Sequence, residues 1–364
     1  MDAKITKIED LGYDSFFESN RLKLGLDSFL IARVTAEHKG AYKVRNSADE
    51  YLAKITGKQI WEASSKEDYP VVGDWVAISE LEEKKAIIQA ILPRKTTMKR
   101  KQSDKNRIQM IAANIDVALV VEAVDRDYSL NRLERYSSIA IDGGIKPAII
   151  LNKIDLISKE TLKEKVTQIK SRFKDVDVIL ASVLTDEGLA ELCEYIKKGK
   201  TYCFLGSSGV GKSSLINKLL GESLIKTRDI GSRSGRGKHT TTTREMYFLD
   251  QGGIVVDNPG MREVGMTDTH SGIDNFFDEI TALAEKCKFL DCTHVHEPGC
   301  EVLAALESGK LDKDKYTNYI NLKKEAEFYE MNKLEKKEKD RQFGKFLKKA
   351  KKDLKNYKHR NYGE

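Results

Sequence analysis

Residues 206–213 read Gly-Ser-Ser-Gly-Val-Gly-Lys-Ser and fit the G-x-x-x-x-G-K-[ST] pattern without deviation. The apolar run Thr201–Leu205 precedes them, and the helix-prone stretch Ser214–Leu220 follows. Strand, loop and helix in that order make a phosphate-binding loop, because the backbone N–H groups at a helix start can converge on an anion. Side chains at Gly206, Gly209 or Gly211 would stand in the path of the phosphate oxygens. Ser207, Ser208 and Val210 complete the cradle, and Ser214 opens the helix. Lys212 is expected to bridge the terminal phosphates of a nucleotide, and the Ser213 hydroxyl to bind Mg²⁺. A chance match in a surface loop is the bland alternative, and the flanking strand and helix disfavour it.

The surrounding sequence supplies the required sheet. Asp116–Ala123, Pro147–Leu151, Val178–Ala181, Thr201–Leu205 and Gly253–Val256 are near-continuous apolar runs. Helical segments over Leu130–Ile141, Leu162–Phe173 and Gly188–Lys197 lie between them. Buried strands alternating with helices predict a mostly parallel α/β sheet.

A phosphate loop alone does not choose a base. Asn152-Lys-Ile-Asp155 ends the run Pro147–Leu151, where α/β sheets present ligands. An ionised Asp155 only accepts hydrogen bonds, so it suits the paired N1–H and 2-amino donors of guanine and disfavours adenine. Lys153 is expected along the base, with Asn152 tying the loop together. Ser182, after another strand, adds a backbone contact to guanine. Asp257-Asn-Pro-Gly260 follows the run Gly253–Val256. There Asp257 is expected to hold Mg²⁺ through water, and the Gly260 N–H to sense the γ-phosphate. Between these motifs lies His239-Thr-Thr-Thr-Thr243, where Thr240 or Thr241 is expected to close over Mg²⁺. Met261 stands where a glutamine would orient the attacking water, so slow intrinsic turnover is expected. His239 is the candidate catalytic group, with a surface histidine as the equal alternative.

The first hundred residues read differently. Phe29–Ala36, Ala41–Val44, Tyr51–Ile55, Val71–Ile78 and Ala86–Leu92 are short strands separated by glycine and proline, which predicts a small barrel of the OB type. Tyr42, Tyr51 and Trp75 are candidates to stack on bases, core packing being the commoner role. The net charge of +6 is unevenly placed. Residues 94–107 carry +6 and residues 345–364 carry +6, leaving the rest at −6. Two basic segments on an acidic body suggest a polyanionic partner such as nucleic acid.

Five cysteines in a chain this long do not form a disulfide framework. Cys287, Cys292 and Cys300 crowd around His294 and His296, which reads as a metal site; spacing alone leaves either histidine as the fourth ligand. Free buried cysteines are the alternative. Cys193 and Cys203 read as ordinary core residues. No run approaches a membrane span, and the first ten residues hold no apolar signal core, so a cytoplasmic protein with no membrane partner is expected.

With the guanine-reading Asn152–Asp155 ahead of the phosphate loop, the chain resembles the circularly permuted GTPases. With the barrel in front and the cysteines behind, it is similar to the RsgA family of small-ribosomal-subunit biogenesis GTPases. The resemblance covers nearly the whole chain and is weakest after about residue 312. It implies an OB-fold barrel and basic linker over 1–106, a permuted P-loop GTPase domain over 107–268, and a zinc knuckle with a basic helical tail over 269–364. It implies one structural zinc on Cys287, Cys292, His294 and Cys300, and Mg²⁺ held with GTP by Ser213, Thr241 and Asp257. It further implies GTP and GDP as ligands, the small (30S) subunit and its rRNA as partners, and partner-stimulated hydrolysis in late assembly. A monomer is expected. The alternative reading is a GTP-regulated RNA- or protein-binding module in which hydrolysis is incidental.

Overall fold

The computed structural model describes residues 5–38, 40–57, 61, 63, 65–102, 107–125, 128–221, 244–257 and 270–330. A helix absent from the sequence expectation, α1 (Ser15–Lys23), comes first; Asp14 caps it by accepting a hydrogen bond from the Phe16 N–H at 3.0 Å. Strands β1 (Leu30–His38), β2 (Ala41–Arg45), β3 (Glu50–Ile55), β4 (Trp75–Leu81) and β5 (Lys85–Ile91) follow. They pair β1–β2–β3–β5–β4, and β4 returns to β1, so the sheet closes as the barrel expected from the front of the chain. Alternation does the sorting: β3 buries Tyr51 and Ala53 and turns Leu52 and Lys54 outward. The three candidate stacking rings are all interior. Tyr42 and Tyr51 pack inside the barrel, and Trp75 is fully buried against Tyr13 and Phe17.

The basic run after the barrel is partly structural. Arg94 donates from Nε and Nη2 to both oxygens of the fully buried Asp74, at 2.8 and 2.7 Å. Lys95 pairs with Asp14, and Lys99 with Glu67 at 3.3 Å. Arg94 is thus committed to a buried carboxylate, whereas Lys95 and Lys99 pair with part-exposed ones at the surface. Strands β6 (Thr97–Gln102) and β7 (Arg107–Ala113) pair antiparallel as a second, two-stranded sheet. The basic segment 345–364 lies outside the described residues.

The α/β half matches the apolar runs. Strands β8 (Val117–Ala123), β9 (Lys146–Asn152), β10 (Asp177–Ala181), β11 (Thr201–Leu205) and β13 (Ile254–Asp257) are parallel, in the order β10–β9–β8–β11–β13. Between β11 and β13 in sequence, β12 (Arg244–Phe248) runs antiparallel to β13 and also pairs with β1, through Ala36 opposite Glu245. Barrel and α/β sheet therefore share one continuous eleven-stranded sheet. Helices α2 (Leu130–Asp142), α3 (Lys159–Arg172), α4 (Leu189–Tyr195) and α5 (Lys212–Leu220) cover its faces.

The C-terminal region contributes α6 (His270–Phe276), α7 (Asp278–Ala284), α8 (Glu301–Glu307) and α9 (Lys313–Glu330). Ile273, Val302, Tyr319 and Leu322 enter the same core as Ile149 and Leu151 of the sheet. Helix α9 is fastened to α2 by a bidentate Arg135–Glu325 pair at 2.6 and 2.7 Å. Of the two cysteines outside the cluster, Cys203 is fully buried as expected, but Cys193 is exposed on α4, a correction to its assignment to the core. Among the described residues, no helix is long and apolar enough to cross a membrane.

One residue joins barrel, α1 approach and sheet. The guanidinium of Arg33, 1% exposed on β1, donates to the carbonyls of Leu11, of Gly73 at 3.3 Å and of Asn114 at 2.9 Å. Burial pushes Arg33 down to about 10, so it remains charged at neutral pH. Gly73 sits in this junction at φ +95°, where an added Cβ would lie 2.0 Å from the Ala113 carbonyl oxygen. Gly73→Ala is expected to cost about 2 kcal/mol or more in urea unfolding, through backbone strain and displacement. An unchanged midpoint would show that the junction yields freely.

Candidate nucleotide and metal sites

The C-terminal ends of the parallel strands bring the distant motifs to one edge. The strand order reverses between β8 and β11, where α/β sheets open a crevice for ligands, and the loop 206–211 leaves β11 at this point. Within it, Gly206, Gly209 and Gly211 all have positive φ. Lys212, 8% exposed at the start of α5, folds back so that Nζ donates to the carbonyls of Gly206 at 2.6 Å and Ser207 at 2.5 Å. Its charge is thereby held inside the loop. Ser207, Ser208, Val210, Ser213 and Ser214 complete the turn into α5. Asp257 ends β13, beside β11, on the same edge.

The Asn152–Asp155 loop meets the 206–211 loop directly. Asn152, 2% exposed, donates from Nδ2 to the Val210 carbonyl at 2.8 Å. The contact is so close that a Cβ on Gly211 would lie 2.2 Å from that nitrogen. Lys153 follows in the left-handed region, at φ +62°, and Asp155 sits in the single 3-10 turn after it. Ser182 donates its hydroxyl proton to Asp155 Oδ1 at 2.5 Å and accepts from the Thr185 N–H at 3.1 Å. Thus Ser182, expected only to offer backbone, orients the carboxylate through its side chain. His239, Thr240, Thr241, Gly260 and Met261 lie outside the described residues.

The Cys/His cluster is brought together too. Ligand atoms of Cys287, Cys292, His294 and Cys300 all lie within 4.8 Å of one another. Cys287 Sγ is 3.8 Å from Cys300 Sγ, and His294 Nδ1 is 3.6 and 3.5 Å from those two sulfurs. A tetrahedral ion with metal–sulfur bonds of about 2.3 Å and metal–nitrogen bonds of about 2.0 Å requires S···S edges of about 3.8 Å and S···N edges of about 3.5 Å. Donor set and dimensions therefore suit one four-coordinate metal ion. The backbone selects the histidine: His294 turns inward at φ +58°, and its carbonyl accepts from Tyr316 of α9 at 2.7 Å. Its neighbour His296 is outside the cluster.

Known proteins share this organisation. YloQ, solved as a circularly permuted GTPase, aligns with a TM-score of 0.61 over 84% of this chain and 97% of its own, at 22% identity. YjeQ from Thermotoga maritima aligns with a TM-score of 0.61 over 81% of this chain and 98% of its own, at 27% identity. The protein is a circularly permuted P-loop GTPase. Residues 91–267 match the RsgA GTPase family. The small ribosomal subunit biogenesis GTPase RsgA 2 of Lactiplantibacillus plantarum is 40% identical over 303 residues, covering 83% of this chain and 85% of that one. RsgA 1 of Listeria monocytogenes is 41% identical over 323 residues, 88% of this chain and 90% of its own. The chain belongs to the RsgA family of GTPases.

Two acidic residues beside the site were not singled out in the sequence. Asp125, just after β8, pairs with Lys153 at 2.7 Å. Glu122, 1% exposed near the end of β8, binds Arg132 Nη2 at 2.8 Å and accepts from the Ser129 N–H at 3.1 Å. Their signal was an acid inside or against an apolar strand run. Burial outweighs Arg132 and raises Glu122 from its ordinary 4.5 to about 7. Between those values the folded protein keeps a proton that the unfolded chain has released, so Glu122 lowers stability progressively as pH rises through that window. Glu122→Gln removes this dependence. In urea titrations the variant is expected to gain about 1–2 kcal/mol on the wild type between pH 5 and pH 8. A pH-independent difference would contradict the assignment.

Proposed function

We propose that this GTPase binds the small (30S) ribosomal subunit, acts in its late maturation, and hydrolyses GTP to GDP and phosphate in a Mg²⁺-dependent reaction stimulated by that partner. The observation that carries this reading is the junction of Asn152 with the phosphate loop. It joins a base-reading carboxylate and a phosphate cradle on one sheet edge, although the chain supplies them in reverse of the usual order. The names of the RsgA relatives supply the ribosomal context.

In this reading Asp155, oriented by Ser182, accepts from N1–H and the 2-amino group of guanine, and Lys153 flanks the base. The backbone of Gly206–Gly211 and the N-terminus of α5 cradle the phosphates. Lys212 exchanges loop carbonyls for the β- and γ-phosphate oxygens. Ser213, Asp257 and a threonine of 240–241 hold Mg²⁺, which supplies charge neutralisation at the phosphates. Water attacks the γ-phosphorus in line, the bond to the β–γ bridging oxygen breaks, and GDP leaves. Met261 cannot orient that water, so His239 takes the role, with Gly260 sensing the γ-phosphate.

The knuckle holds one zinc. Cys287, Cys292, His294 and Cys300 would fill all four positions of a tetrahedral ion and leave none for substrate, so its role would be structural. Ribosomal RNA is gripped by the barrel, the knuckle and the basic tail, the protein working in the cytoplasm as a monomer.

GTP turnover measured alone and with purified 30S subunits tests the reading. Stimulation of 10-fold or more is expected, given that partner activation of GTPases reaches about 10⁵-fold. It should be lost in Lys212→Ala and diminished in His239→Ala with GTP affinity nearly retained. Equal turnover with and without subunits would overturn the partner assignment. Separately, denatured protein is expected to release one zinc per chain. Cys300→Ser should lose that metal together with part of the thermal stability, because metal-binding free energy is folding free energy here, whereas serine can still cap α8 as Cys300 does by accepting from the Leu303 N–H at 3.4 Å.

A further inference from the structure

We infer that Asp125 is a positioning residue of the nucleotide site, which holds Lys153 in place before guanine arrives. This rests on the reading of Lys153 as the residue that flanks the base. Lys153 occupies the left-handed region at φ +62° and ψ 34°, a conformation that costs a residue with a Cβ on the order of 1 kcal/mol or more. Three contacts around it maintain that backbone. Asn152 is anchored to Val210, the Leu156 N–H donates to the Lys153 carbonyl at 3.0 Å, and Lys153 Nζ reaches Asp125 Oδ2 at 2.7 Å.

The neighbouring strand places Asp125. Ala123 of β8 lies opposite Asn152 of β9, and the Val124 N–H donates to the Asn152 carbonyl at 3.1 Å. Asp125 is thereby carried to the side of Lys153, and its own carbonyl accepts from the Tyr128 N–H at 3.1 Å in the turn leading to α2. Among the described residues Asp125 is the only carboxylate within ion-pair distance of Lys153. Both side chains are about one quarter exposed, so the pair is partly screened and gives little stability for its own sake. Its effect lies in order. A free lysine stem has many rotamers, and confining it in advance removes that cost from the binding step.

The pair faces the base end of the site, so its loss should weaken GDP and GTP alike and act on KM more than on kcat. The test is equilibrium binding of fluorescent GDP and GTP analogues to the full chain, as wild type, Asp125→Asn, Asp125→Glu, Lys153→Ala and the double variant. Asp125→Asn is expected to weaken both nucleotides about 3- to 10-fold. Asp125→Glu should recover most of that loss, and Asp125→Asn should add less than about twofold to Lys153→Ala. Wild-type affinity in Asp125→Asn, or a loss fully additive with Lys153→Ala, would overturn the inference while leaving the guanine site standing. Wild-type affinity in Lys153→Ala would overturn the reading of Lys153 itself, and the inference with it. A purely structural pair would lower the melting temperature and leave nucleotide affinity where it was.

Discussion

The hydrogen bond from Asn152 to the Val210 carbonyl ties together the two loops proposed to form the nucleotide site. In this chain the loop proposed to read the base is made first, at the end of β9, and the proposed phosphate loop later, at the end of β11. With β8 between those strands, only their common edge brings the two loops near each other. A buried amide that reaches across this edge converts proximity into a fixed spacing. A guanine nucleotide demands that spacing, because the separation of base and phosphates is set by its own covalent structure. The close approach of Asn152 to Gly211 explains why that position has no side chain: the loop could not otherwise sit against the amide. Permutation is tolerated because the physics of the edge depends on which strands are neighbours, and the order in which the chain visits them does not enter.

The barrel is bound to the GTPase sheet by backbone as well as by side chains. Strand β1 belongs to both, closing the barrel with β4 and meeting β12 beyond it. Arg33 on the same strand gathers three carbonyls from three different segments. A charge so deeply buried without a carboxylate in direct contact is costly, and carbonyl dipoles offset that cost only when all are in place. The junction is therefore specific. Rotating the barrel would break a ladder and strand a buried guanidinium together.

At the other end, the Cys/His knuckle does not depend on a core of its own. Cys300 and Val302 enter the core under the sheet, as do Tyr319 and Leu322 of α9, and the Arg135–Glu325 fork ties α9 to α2. The Glu134 carboxylate, buried on α2, binds Arg172 of α3 at 2.5 Å and also accepts from Asn318 of α9. Helix α2 thus starts beside the Asn152–Asp155 loop and carries the C-terminal helix along its side.

Where a motif dictates local backbone, the sequence was sufficient. Glycines and lysine in the pattern 206–213 fit the turn of a phosphate-binding loop, apolar runs of four to eight residues become buried strands, and Asn152, Lys153 and Asp155 emerge at the expected strand end. The spacing of the thiols likewise anticipated the Cys/His cluster. Other features needed the fold, since they arise from residues far apart in the chain. The interior fate of Trp75 depends on Tyr13 and Phe17 closing over it. The charged strand β6 is a strand because β7 pairs with it, and Arg94 faces inward because Asp74 is buried there. The choice of His294 over His296 came from one left-handed residue, and the contact of Lys153 with Asp125 from a strand register. Sequence alone determined which chemistry this protein carries. Tertiary structure decided which groups hold that chemistry in place, because burial and through-space pairing are properties of neighbours that no single stretch of chain contains.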